Sequence, residues 1–217
     1  MGAVDEGSGL LALIEGGPFV SGAGSDRGLA AVVAARAVEC GNQFYVEVDM
    51  RGVESSVLVS TLYERAWGLV PLLESAVSND AAVVVCVESV LDYVPAAWAC
   101  IFSGRTFVSL AYNGVSARDE QFKSNLKFIA GKLSQPVLVT TRAVSERLQL
   151  GETGGFGGVI FVDDLVQPDA IGEVGQDLVC SVEGLGDRVS DESAAFLVLT
   201  SGSSGIPKLV EISFEQM

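Results

Sequence analysis

The sequence predicts an α/β protein built on a mainly parallel sheet flanked by helices. Apolar runs such as Ala81-Ala82-Val83-Val84-Val85-Cys86-Val87 have no polar face, the pattern of strands covered on both sides. Segments with helical spacing lie between such runs, and this β-α-β-α order argues for a doubly wound sheet. With 217 residues, 49% of them apolar, the chain is long enough to bury a sizeable core as one large domain or two small ones.

Residues 1–28 are crowded with glycine and serine and read as a flexible leader before the domain at 29–217. Residues 29–40 (LAAVVAARAVEC) are alanine-rich and stop at Gly41-Asn42, which predicts a largely buried helix. Residues 44–49 (FYVEVD) alternate as a strand does. Over 60–76, Leu62, Ala66, Leu69, Val70 and Leu73 fall at helical spacing, with Pro71 expected to kink or break the helix. After the strand at 81–87 come a helix at 93–102 stopped by Ser103-Gly104 and a short strand at 106–110. A polar helix at 119–133, a strand at 136–140, a helix near 144–150 and a strand at 158–162 complete the alternation. Residues 151–158 and 168–191 are Gly-rich and read as surface loops. Residues 194–200 form the last strand before a glycine-serine loop, and 209–212 (LVEI) a returning one.

Composition narrows the chemistry. A formal charge of −15 repels a nucleic-acid backbone, and no basic patch offsets it. No run approaches the roughly 18 apolar residues of a membrane span, and no basic signal-peptide start is present, so the expected address is cytoplasmic. Histidine is absent, which removes Ser-His-Asp and Cys-His triads and His-ligated zinc from this chain. Cys40, Cys86, Cys100 and Cys180 show no short paired spacing and read as reduced core thiols. Trp67 and Trp98 sit at helical spacing with alanine and leucine and read as core. Asp163-Asp164 after a strand read as a solvated helix cap rather than a cation site.

The most informative stretch is Thr200-Ser201-Gly202-Ser203-Ser204-Gly205-Ile206-Pro207-Lys208. Glycines and hydroxyls let backbone N–H groups and Oγ atoms converge on a phosphate, and Lys208 adds positive charge. The loop opens at the carboxyl end of a strand, where open α/β sheets bind ligands. It is not a Walker A loop, because no Gly-Lys-Ser/Thr ending starts a helix after it. Pro207 blocks immediate helix formation, so the geometry expected is a strand-loop-strand hairpin able to close over a triphosphate.

This pattern, behind the apolar strand Phe196-Leu197-Val198-Leu199, resembles the phosphate loop of the adenylate-forming (acyl- or aminoacyl-AMP) ligases. Residues 81–110, with Ala96-Ala97-Trp98-Ala99-Cys100 and Ser103-Gly104-Arg105-Thr106-Phe107-Val108-Ser109-Leu110, resemble the family's A-x-x-x-A-G-x-x-x-V-P-L segment, Ser109 standing for proline. Leu62-Tyr63-Glu64-Arg65-Ala66 resembles its tyrosine-x-glutamate-leucine helix. Residues 126–150 are most like fatty-acyl-AMP ligases and the loading modules of polyketide and nonribosomal peptide assembly lines. Leu209 stands where the family has glycine, and Phe214 where it has histidine.

The resemblance implies the N-terminal portion of the large adenylation domain, ending just after the phosphate-loop hairpin. It implies ATP and Mg2+ as cofactors, and activation of a fatty, aryl or amino acid to an acyl-adenylate. The adenylate would pass to coenzyme A or to the phosphopantetheine thiol of an acyl or peptidyl carrier protein. Thr200 and Lys208 would be catalytic, and Thr200, Ser201, Gly202, Ser203, Ser204, Gly205 and Lys208 would hold the nucleotide. The family's acidic magnesium ligand, ribose-binding aspartate, hinge and C-terminal lysine have no counterparts before Met217, so a C-terminal remainder on the same or another chain is an implied partner. Two other readings stand beside this one. The chain could be a non-catalytic nucleotide-binding or interaction fragment. Alternatively, Gly22-Ala23-Gly24-Ser25-Asp26-Arg27-Gly28, a helix and a strand ending at Asp49 mimic an NAD(P)-binding unit.

Overall fold

Strands apolar on alternate and intervening positions alike must be covered on both faces, and the computed structural model meets that demand with three layers. The structure describes residues 29–48, 52–78, 80–110, 112, 114, 118–150, 155–164, 194–201 and 207–213. In chain order these form α1 (Leu29–Glu39), β1 (Phe44–Val48), β2 (Glu54–Leu58), α2 (Val59–Ala76), β3 (Val83–Cys86), α3 (Val90–Phe102), β4 (Phe107–Ser109), α4 (Asp119–Lys132), β5 (Val137–Thr140), α5 (Arg142–Leu148), β6 (Gly158–Phe161), β7 (Ala194–Ser201) and β8 (Pro207–Ser213).

The main sheet has the order β6-β5-β3-β4-β7-β8, parallel from β6 to β7 and antiparallel at the β8 edge. Val83, Val85, Phe107, Val137, Val139 and Ile160 join one core cluster with α1, α2 and α3. Val84, Cys86, Val108 and Leu138 join a second with Leu126 and Ile129 of α4 and Val144 and Leu148 of α5. This is the period-two split expected of a doubly covered strand. On β7 the split slips at a bulge between Ala194 and Phe196, so Ala195 and Phe196 both belong with the first cluster.

Two elements differ from expectation. The strand at 44–48 does not enter the main sheet: β1 pairs antiparallel with β2 in a separate two-stranded ribbon. That pairing corrects the dinucleotide-binding alternative, which needs a parallel β-α-β unit. Gly22 to Gly28 and Asp49 lie outside the described residues. The other difference is at Pro71, where α2 runs on unbroken to Ala76. Leu69, Val70 and Leu73 are buried around it, and that burial outweighs the ring's cost in the helix.

A second internal proline, Pro95, is compensated by a named partner. Pro95 has no N–H to donate to the carbonyl of Leu91 four residues back. Arg65 of α2 donates to that carbonyl instead, Nη1 to O at 2.9 Å, and its Nη2 pairs with Asp92 at 2.6 Å. The N-terminus of α3 is capped twice over. Ser89 accepts from the Leu91 N–H, and Glu47 of the ribbon accepts from the Val90 N–H at 2.9 Å and the Ser89 hydroxyl at 2.6 Å.

Cys86 and Cys100 are wholly buried and Cys40 half-buried, while Cys180 lies outside the described residues. Burial pushes the Cys86 thiol up to about 12, and pushes Cys100 up as well, against the opposing pull of Arg105. A thiol reagent at about pH 8, where only thiolate reacts, is therefore expected to spare Cys86 and Cys100 in the native protein and label them once denaturant is added. Labelling of either at a free-thiol rate would contradict this packing.

Candidate functional site

All five parallel strands end at one edge of the sheet, and the chemistry-bearing residues collect there. β7 runs to Thr200 and Ser201, and β8 returns from Pro207, giving the expected hairpin. Cross-strand pairs fix its register: Leu199 faces Leu209, Thr200 faces Lys208 and Ser201 faces Pro207. Thr200 donates its hydroxyl to the Lys208 carbonyl at 3.4 Å, and the Lys208 side chain is exposed. Thr200, Ser201 and Lys208 are thus brought together at the neck of the loop. Gly202, Ser203, Ser204 and Gly205 lie outside the described residues, as does Phe214. Leu209 packs with Leu197 and Leu199 against the second core cluster.

Beside this neck, the turn after β4 carries a polar network that the sequence reading did not single out. Tyr112, buried, donates to Asp119 Oδ1 at 2.8 Å at the start of α4. Arg147 of α5 pairs with Asp119 Oδ2 at 3.4 Å, donates to the Gly114 carbonyl and stands 5.6 Å from the centre of the Tyr112 ring. Gly114 has φ +66°, a backbone conformation that favours glycine, whereas the Glu88 carboxylate that a Cβ there would meet is the movable end of a flexible side chain. The Asn113-Gly114 dipeptide, a turn signal, is the one sequence feature that could have marked the place. At the next strand, Asp163 accepts from the Arg142 N–H at 3.0 Å and Asp164 holds the Arg142 guanidinium at 2.7 Å. Asp163 therefore caps α5, a neighbouring helix, while Asp164 pairs with the side chain of that helix's first residue. Trp67 and Trp98 pack half-buried against the first core cluster.

Burial, then the bond to Asp119, pushes the Tyr112 phenol up to about 12. An unfolded tyrosine ionises near pH 10, so above that pH the unfolded chain releases a proton that the folded chain keeps. Stability fully present below about pH 10 is then lost as pH rises towards about 12. Urea midpoints at about pH 9 and about pH 11 check this, since Tyr112→Phe is expected to flatten the fall between them. An equal fall in the variant would contradict the assignment.

Among the described residues no group of three or more His, Cys, Asp or Glu side chains could hold a metal ion. Nor is any described helix long and apolar enough to cross a membrane. No family model matches the chain. Solved structures do. The chain is similar to McyG A-PCP complexed with phenylalanyl-adenylate, at 22% identity and TM-score 0.60 over 85% of this chain and 28% of that one. It is similar to a fatty acyl-adenylate ligase from L. pneumophila in complex with acyl adenylate and pyrophosphate, at 18% identity and TM-score 0.60 over 86% and 30%. It is similar to the N-terminal subdomain of Klebsiella oxytoca NpsA in complex with 3-hydroxyanthranilyl-AMSN, at 15% identity and TM-score 0.56 over 87% and 41%. The chain thus spans well under half the length of the solved structures it matches. Over that span it has the fold of the N-terminal part of the adenylate-forming ligases.

Proposed function

We propose that this chain supplies the ATP-phosphate part of a site that activates a carboxylic acid as its adenylate. The observation that carries the proposal is the hydroxyl- and glycine-rich loop held by the β7–β8 hairpin at the carboxyl edge of the sheet. In the reaction a carboxylate oxygen attacks the α-phosphorus of ATP, the bond to pyrophosphate breaks, and negative charge builds on the departing group. Lys208, the hydroxyls of Ser201, Ser203 and Ser204, and the backbone amides at Gly202 and Gly205 neutralise that charge. Thr200 donates a hydrogen bond to the Lys208 carbonyl, so its hydroxyl oxygen keeps its lone pairs free to accept. That donor suits the magnesium ion that accompanies ATP, and it is a single ligand, so phosphate oxygens and water would fill the other positions. When bound, magnesium would supply charge neutralisation on the phosphates.

The acid would be fatty, aryl or amino, and the acceptor a carrier-protein phosphopantetheine or coenzyme A, in the cytoplasm. The rest of the ligase, on the same or a separate chain, would complete the site. A non-catalytic nucleotide-binding role predicts ATP binding without turnover. Carboxylate-dependent ATP–pyrophosphate exchange by the chain joined to that remainder, with Lys208→Ala and Ser203→Ala beside it, tests the proposal. Undiminished exchange in both variants would sink it.

A further inference from the structure

We infer that the outer face of the β1–β2 ribbon is the surface on which the rest of the ligase packs. This rests on the proposed function in one respect, that such a remainder exists. Residues that face each other across an antiparallel pair project from the same side of it. Tyr45 and Glu47 of β1 therefore share a face with Val57 and Ser55 of β2, and Glu47 turns that face towards α3 by its bonds to Ser89 and Val90. Phe44, Val46 and Val48 project from the opposite face, across from Leu58, Ser56 and Glu54. An antiparallel ribbon with one side on the protein ordinarily turns a polar side to water. Here Phe44 is 67% exposed, Val46 52% and Val48 59%. Of the nine large apolar side chains exposed among the described residues, five lie between Phe44 and Val53, so the exposure is a patch and not a scatter. A ribbon of two strands is marginal alone and needs a layer against its apolar side.

Size and charge select the occupant. The chain matches the solved structures over 85–87% of its own length, yet spans 28–41% of theirs. Most of such a fold thus lies beyond this span, and an apolar face already shaped as a layer is where it would pack. A second copy carries the same charge of −15, which opposes pairing. Nucleic acid and anionic lipid are drawn by cations, and the six residues of this face hold one charge, the carboxylate of Glu54. An apolar layer of the same ligase needs only matching apolar surface. Glu47 pins the ribbon from behind, so little freedom is lost when its outer face is covered.

The test follows how fast a maleimide modifies Val46→Cys, on the outer face, and Val57→Cys, on the inner one, at about pH 8. Peptide masses separate these thiols from the native cysteines. Each variant is compared in the 217-residue chain and in the chain joined to the remainder. In the 217-residue chain Val46→Cys is expected to react at a free-thiol rate, and in the joined protein at least about tenfold more slowly. Val57→Cys should react alike in both. Phe44→Ser with Val46→Ser should leave the urea midpoint of the 217-residue chain in place and lower that of the joined protein. Slow labelling of Val46→Cys in the 217-residue chain would overturn the inference, since other residues of this chain, or a second copy if the rate falls with protein concentration, would then hold the face. Equal labelling in both forms would overturn it too. ATP–pyrophosphate exchange by the joined protein separates the two readings. Exchange with the face still open sinks only the docking, and a covered face without exchange sinks only the proposed function.

Discussion

Replacing Lys208 with alanine is expected to lower carboxylate-dependent ATP–pyrophosphate exchange by about 10²- to 10³-fold, the usual cost of deleting one preorganised charge-stabilising group. The size follows from where charge moves. Two negative charges or more gather on the departing pyrophosphate, and Lys208 is the loop's one cation. Its side chain is exposed and its place in β8 is held by backbone pairing with Thr200, so the hairpin should survive the change. Exposed substitutions away from special features shift stability by roughly 0.5 kcal/mol or less. The expected result is therefore lost exchange with an unaltered urea midpoint. Ser203→Ala removes one of several hydroxyls and should cost less. A Lys208→Ala protein that exchanges at the wild-type rate would place the pyrophosphate elsewhere.

The largest expected effect on stability is at Phe102. Its side chain is fully buried at the end of α3, stacked on Trp67 with ring centres 5.2 Å apart and meeting Tyr63 edge-on at 5.5 Å. Phe102→Ala removes a ring that α2 and α3 share, and the neighbouring rings are too rigid to collapse into the space. Such truncations cost about 3–5 kcal/mol, against a typical total of about 5–15 kcal/mol. Urea unfolding should show a correspondingly lower midpoint with an unchanged slope, and Phe102→Leu should lose far less. A loss below about 1 kcal/mol for the alanine variant would mean the three rings do not carry the α2–α3 contact.

The sheet was legible because its strands need no context: Val83 to Cys86 and Val137 to Val139 are apolar on both faces, and only a two-sided burial explains that. The ribbon strand β2 was not, since Glu54-Ser55-Ser56-Val57-Leu58 is largely exposed and carries neither an apolar run nor alternation. Its existence depends on β1, a tertiary fact. Pro71 misled for a related reason. Local sterics argue for a break, and the burial of Leu69, Val70 and Leu73 overrides them. At the site, the hairpin could be read from a proline and a returning apolar run. The network of Tyr112, Asp119 and Arg147 could not, because its members come from a loop and two helices and meet only when the layers stack.

The bond from Arg65 to the Leu91 carbonyl bears on how the domain comes apart. Because Pro95 has no N–H to give that carbonyl, α3 takes one of its backbone hydrogen bonds from α2. The two helices should then open to solvent together, as one cooperative block whose amides share a single free energy of exposure.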